Sequence, residues 1–177
     1  KCFGSVRGLF GGAASKLVVP GDRAICLDDG MGEQGVLLAL AATAFHASAG
    51  GQKQPDLIVG HGVLGRLLAR IAVALDAPPP VVWETNAIRS SGAEGYSVVD
   101  PARDETPNYQ TIYEVSGDAA LLNTLIARLK PQGEIVLAGF YSEPLSFAFP
   151  PAFMKEARIR IAAEWRPADL TAVAQLI

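Results

Sequence analysis

Three glycines and an acid carry the most specific chemistry in this chain. Gly60, Gly62 and Gly65 stand in the run Gly60-His61-Gly62-Val63-Leu64-Gly65, and Glu84 follows about 20 residues later. Gly60 permits a tight turn, Gly62 lets the backbone approach a pyrophosphate with no Cβ in the way, and Gly65 lets a helix pack close to a sheet. Val63 and Leu64 open that helix, where unpaired N–H groups and the helix dipole favour negative charge. Glu84 can accept hydrogen bonds from an adenosine ribose and would repel a 2′-phosphate, so the expected cofactor is NAD rather than NADP. Arg89, just past it, could serve a phosphate, against that repulsion. His61, between two cradle glycines, either stacks near the pyrophosphate or faces solvent, and the solvent-facing placement is the one expected.

These residues need a strand before them and another after them. Leu57-Ile58-Val59 is a short apolar run that passes straight into Gly60. Leu64, Leu67, Leu68, Ile71 and Leu75 then fall at helical spacing, with Arg66 and Arg70 on the wet face. Pro78, Pro79 and Pro80 are expected to stop the helix, and Val81-Val82-Trp83 forms a second strand ending at Glu84. Strand, glycine cradle, helix, strand and acid make a dinucleotide-binding βαβ unit.

The pattern continues. A short helix is expected over 86–94, a third strand over 96–99 and a fourth over 111–115, ending at Ser116-Gly117. Asp118 caps a helix through Leu129, Pro131-Gln132-Gly133 turns the chain, and a fifth strand over 134–138 ends at Gly139. A sixth strand is expected over 158–163 and a last helix from Pro167. Six strands alternating with helices imply an α/β doubly wound parallel sheet of order 3-2-1-4-5-6. Ligands of such a sheet lie across the strands' carboxyl ends, which selects the cradle, Glu84, Ser116 and Gly139 as the cofactor rim.

Upstream, residues 1–12 read as irregular, 16–19 and 24–27 as short strands, and 33–49 as a helix stopped by Gly50-Gly51. The chain begins at Lys1 without a methionine and stops at Ile177 inside an apparent helix, so a fragment is expected. Its 177 residues suit one core and part of another, and 50% are hydrophobic against 19% charged, as a buried parallel sheet requires. The net charge of −3, with no basic stripe, argues against a nucleic-acid partner. No apolar stretch reaches the length of a membrane span. Cys2 and Cys26 have no metal or disulfide spacing, and a reducing cytoplasm is the default expectation.

The motifs as a whole resemble the medium-chain dehydrogenase/reductase superfamily. The matching stretches are Gly8–Ala13, Lys16–Pro20, Ala41–His46, Gly60–Gly65, Gly92–Pro101, Tyr113–Gly117 and Leu129–Gly139. By that resemblance residues 1–45 are the end of a GroES-like catalytic domain with a connecting helix, and 46–177 are the NAD-binding Rossmann domain. Within the superfamily, Leu9–Ala13, Leu37–His46, Val82–Asn86, Glu114–Asp118, Leu137–Arg160 and Ala162–Trp165 resemble a family of phototrophic bacteria. That family oxidises the 3-(1-hydroxyethyl) side chain of bacteriochlorophyllide a to 3-acetyl with NAD. The resemblance implies a bacteriochlorin substrate and leaves a homodimer open.

Zinc-dependent members carry a ligand cysteine four residues before the threonine matching Thr43; here that position is Ala39, so no metal is expected. His46 either relays a proton through Thr43 or a ribose hydroxyl, or is a structural histidine at a helix end. Tyr141, after the fifth strand, is a further candidate proton donor. Phe140, Phe147, Phe149 and Phe153 could line a site for a flat macrocycle, although the alternation at 147 and 149 reads better as a buried or interface strand. Two other functions stay open: a zinc-free NADPH quinone or enoyl reductase of the same superfamily, and a nucleotide-binding module without catalysis.

Overall fold

The computed structural model describes residues 2–3, 6–7, 15–21, 24–27, 29–48 and 53–176. They fall into two units, Lys1–Val36 and Leu37–Ile177. In the first, β1 (Cys2–Phe3) pairs antiparallel with β2 (Val6–Arg7), where irregular chain was expected. The expected strands over 16–19 and 24–27 do not form. Among the described residues they have no partner strand, and Val18 is 90% exposed; apolar runs without a ladder stay irregular. A 3-10 run, Asp29–Leu37, follows, kinked at Gly32 where φ is +51°. Gly8–Ala13 and Gly50-Gly51 lie outside the described residues.

The second unit is built on six parallel strands. They are β3 (Leu57–Val59), β4 (Val81–Trp83), β5 (Ser97–Val99), β6 (Tyr109–Glu114), β7 (Leu129–Leu137) and β8 (Arg158–Ile161). Their spatial order is β5-β4-β3-β6-β7-β8, which counted from the sheet's first strand is 3-2-1-4-5-6, as expected. β3 sits centrally and all three of its residues are buried, because a parallel strand has both faces covered. Side-chain alternation then divides the core. Leu57, Val59, Trp83, Ile112 and Ile135 face α3 (Leu122–Ala127) and α4 (Phe149–Met154). Ile58, Val82, Tyr113 and Val136 face α1 (Leu38–Ala47) and α2 (Val63–Ala74). Leu38, Ala41 and Ala42 of α1 also receive Leu170 and Val173 from α5 (Pro167–Ala174).

Several boundaries differ from expectation, each for a local reason. α1 begins at Leu38 rather than at 33, because the preceding turns are 3-10. α2 stops before the prolines: Ala77 N–H bonds Ala72 O and Asp76 N–H bonds Val73 O, both at 3.0 Å, with Asp76 at φ +53°. Residues 86–94 make a turn instead of a helix. Asn86 Oδ1 takes the Ile88 and Arg89 N–H groups at 2.9 and 3.3 Å, and Gly92 and Gly95 follow at φ +76° and +77°. Pro131-Gln132-Gly133 lies inside β7 as a register shift rather than ahead of it. The strand expected around 147–149 is the lead into α4, whose Pro150 and Pro151 suit a helix start and cannot donate to a ladder. Among the described residues, no helix is long and apolar enough to cross a membrane.

Candidate functional site

A cavity of about 490 Å³ opens at the carboxyl ends of β3, β4 and β6, lined by Gly60, Gly62, Glu84, Arg89, Ser116 and Asp118 among others. Its closest packing is at the glycines. Gly60 has φ +104°, and a Cβ there would stand 3.1 Å from the Ser116 backbone. A Cβ on Gly65 would stand 1.9 Å from Gly60 O, whereas one on Gly62 meets nothing within 4 Å. α2 therefore presses on the turn through Gly65 while Gly62 leaves its approach open. No side chain caps α2, and its first turn holds no acid, so the N–H groups at Val63 and Leu64 have no competing anion. This cradle fits a pyrophosphate.

Glu84 braces the same turn. Its Oε2 accepts from His61 N–H at 3.1 Å and its Oε1 from Asn86 N–H at 2.8 Å. Burial alone would raise its pKa, but those bonds and the Arg89 charge outweigh it, and the carboxyl titrates below its ordinary range. The groove keeps a fixed negative charge there.

His61 is wholly buried, not solvent-facing. Its Nδ1 lies 2.6 Å from Arg89 O, and a carbonyl only accepts, so Nδ1 carries the proton. Nε2, 2.8 Å from the Tyr96 hydroxyl, is then the acceptor. Arg66, half-buried on that face, is tied down as well: it donates to His61 O at 3.2 Å and to Arg89 O at 2.7 Å. His61 and Arg66 thus fasten the turn carrying Arg89 to the cradle. Arg70 stays exposed, 3.7 Å from Glu94.

Burial lowers the His61 pKa below 6.5; the Arg89 carbonyl bond and Glu84 oppose this, while the Arg66 and Arg70 charges add to it. A lowered pKa means the unfolded chain binds the proton first. The stabilisation is complete above 6.5 and is lost progressively as pH falls from there through the lower folded-state value. Melting temperature should fall more steeply between about pH 7 and pH 5.5 for the wild-type protein than for His61→Gln. Parallel curves would contradict this.

The far end of the groove was not legible beforehand. Asp104 takes Trp83 Nε1–H at 2.7 Å, the Tyr109 hydroxyl at 2.6 Å and Thr106 N–H at 2.9 Å. Burial and the Asp104 bond push Tyr109 up to about 12. Arg128 lies 5.5 Å over the Trp83 ring and donates to Asp104 O and Thr106 O. An acid paired across a loop leaves no periodic trace in sequence.

Ser116 and Gly139 meet at the rim through Glu114, a buried carboxylate not among the expected rim residues. An acid closing the fourth strand, as Glu84 closes the second, was the signal available. The proton-transfer candidates are placed elsewhere. Tyr141 donates its hydroxyl to Glu114, and burial together with that bond raises its pKa. Thr43 Oγ1 donates to Ala39 O at 3.1 Å, one turn back along α1. His46 Nδ1 lies 2.8 Å from Asp169 Oδ2 on α5. None of the three lines the cavity. Phe147, Phe149 and Phe153 line a separate depression of about 520 Å³ beside edge strand β8. Among the described residues no cluster of three or more His, Cys, Asp or Glu is placed to hold a metal.

No protein-family model matches the chain. It is 58% identical over 175 residues to the 2-desacetyl-2-hydroxyethyl bacteriochlorophyllide A dehydrogenase of Cereibacter sphaeroides, covering 98% of this chain and 55% of that protein. To the enzyme of the same name from Rhodobacter capsulatus it is 57% identical over 178 residues, covering 99% of this chain and 57% of that one. The chain thus spans about half the length of the curated relatives it matches. Among solved structures it resembles galactitol-1-phosphate dehydrogenase from Escherichia coli, with TM-score 0.81 and 19% identity over 94% of this chain and 55% of that one. Staphylococcus aureus TarJ in complex with NADPH gives 0.79 and 19%, over 90% and 55%. An alcohol dehydrogenase from E. coli CFT073 complexed with NADH gives 0.75 and 19%, over 89% and 51%. At those identities the likeness is one of fold.

Proposed function

We propose, from a chain homologous over nearly its whole length to bacteriochlorophyllide dehydrogenases, that it is the nucleotide-binding part of an NAD-dependent secondary-alcohol dehydrogenase. Its substrate is the 3-(1-hydroxyethyl) group of a bacteriochlorophyllide, oxidised to 3-acetyl. The C–H and O–H bonds of the carbinol break and a C=O bond forms; the hydride goes to the cofactor and the proton to a base. Residues 1–45 belong, in this reading, to the substrate-side GroES-like domain and its connecting helix, and 46–177 to the cofactor domain.

The observation that carries the reading is the cradle closed by Gly65 on Gly60, with Glu84 braced beside it. Gly60–Gly65 would hold the pyrophosphate and Glu84 the adenosine ribose, which favours NAD over NADP. When bound, NAD supplies the hydride acceptor. Ser116, on the groove, and Gly139 beside it would border the reacting end. In this reading the hydroxyl proton would pass through Thr43 or a ribose hydroxyl to His46, and Tyr141 donates its own hydroxyl to Glu114. Asp169 on His46 Nδ1 would leave Nε2 as the acceptor. Ala39 offers no metal ligand, and we read the enzyme as zinc-free. The exposed apolar strip along β8, with Ile161 77% exposed, supports pairing of two copies there, which sedimentation of the full-length protein would show as twice the chain mass.

The test is turnover by the full-length protein. With NAD and 3-hydroxyethyl bacteriochlorophyllide a, the pigment's long-wavelength band should move to the red as the acetyl group joins the conjugated ring. Activity should survive chelation. An unchanged spectrum, with NADPH-driven reduction of quinones or enones, would make the reductase reading correct instead.

A further inference from the structure

The turn after β7 is built around a carboxylate that does not itself line the cofactor groove. Glu114 ends β6 and is 1% exposed. Its Oε1 accepts from Ser116 N–H at 2.8 Å and from the Ser116 hydroxyl, and Gly117 N–H reaches both oxygens at 3.2 and 3.3 Å. Tyr141 supplies the remaining donor, to Oε2. A buried carboxylate needs such a set of donors, and here the donors come from the turns after two neighbouring strands.

The backbone is fastened as well. Ala138 and Gly139 N–H both bond Glu114 O at 3.0 Å. Gly117 has φ +78°, and a Cβ there would stand 2.7 Å from Phe140 O; one on Gly139 would stand 2.9 Å from Gly117 N. Phe140 therefore sits between two pinned neighbours, on a backbone with no slack. Yet its side chain is 92% exposed. A large apolar ring held rigidly in water is uncommon on a packed domain, and this one stands at the strand ends where ligands of such a sheet lie. Ser116, bonded to the same carboxylate, lines the groove.

We infer that Phe140 is the macrocycle-contacting residue of this site, and that Tyr141, acting through Glu114, is the positioning residue that presents it. This rests on the function proposed above and narrows its substrate recognition to one side chain. A flat conjugated ring offers an aromatic side chain a stacking face, and a pre-set backbone removes the ordering cost of using it. The Phe147–Phe153 depression is a separate one, lined by residues of α4 and β8 and the chain beside them.

The experiment uses the full-length enzyme, NAD and 3-hydroxyethyl bacteriochlorophyllide a. Phe140→Ala should raise the pigment KM by at least about tenfold, with the NADH dissociation constant and the melting temperature unchanged. Phe140→Tyr should restore the wild-type KM. Tyr141→Phe should raise the pigment KM too, with the pH profile of kcat unchanged, because no proton passes through it. An unaltered pigment KM in Phe140→Ala, or an equal loss of NADH affinity, overturns this inference alone. Wild-type enzyme that never oxidises the pigment overturns it together with the proposed function. A pH profile altered in Tyr141→Phe makes that hydroxyl a proton donor and overturns the positioning role.

Discussion

Gly65→Ala should all but abolish nicotinamide-nucleotide binding and lower the melting temperature. The added Cβ would stand 1.9 Å from Gly60 O and 3.0 Å from Gly60 C, both backbone atoms. Gly60 cannot retreat, because its other side lies against Ser116 and its φ is already +104°. Either α2 moves off the sheet or the cradle opens, and both misplace the N–H groups that would meet the pyrophosphate. Overpacking of this kind costs about 1–3 kcal/mol of stability, and a displaced anion site of the same size weakens binding by about 100-fold. Gly62→Ala is the informative contrast. Its Cβ meets nothing within 4 Å, so folding should be untouched and only affinity should fall. Thermal melts and NADH fluorescence titrations on both variants would check this. A Gly65→Ala protein that melts and binds like wild type would refute the close packing.

Glu84→Ala should reverse or erase the preference for NADH over NADPH. The wild-type carboxylate is charged across the neutral range, its pKa held low by the Asn86 and His61 bonds and by Arg89, against burial. Removing it takes away a ribose acceptor, which costs NADH about 1.5–3 kcal/mol, roughly tenfold or more. It also removes the repulsion facing a 2′-phosphate and leaves Arg89 beside that position, so NADPH should gain. Together the selectivity ratio should move by about 100-fold. Part of the NADH loss will come from His61 and Asn86 N–H groups left without an acceptor, so Glu84→Gln, which keeps one oxygen, should lose less. Equal affinities in the wild-type protein would remove the basis for assigning NAD.

The sheet and the cradle were legible because their signals are local. Leu57–Val59 is buried on both faces and reads as an unbroken apolar run, and Gly65 is needed only by an atom five residues away. What was illegible depends on partners distant in sequence or on side chains competing with backbone. Asn86 captures two N–H groups and turns a helical-looking stretch into a loop. His61 looks exposed between glycines until Tyr96 and the Arg89 carbonyl close over it. Tyr141 reads as a free hydroxyl at the rim, and only the fold sets it on Glu114. Asp104 joins Trp83 and Tyr109 across two strands, a contact no spacing announces.

The proposed reaction is hydride transfer from the pigment's side-chain carbinol to NAD held in this groove. It is tested most directly with full-length protein, NAD and 3-hydroxyethyl bacteriochlorophyllide a carrying deuterium on the carbinol carbon. The deuterium should appear on the reduced cofactor, in step with formation of the acetyl pigment, and Gly65→Ala should slow both together. Deuterium retained in the pigment or lost to water, or acetyl pigment formed without reduced NAD, would contradict it.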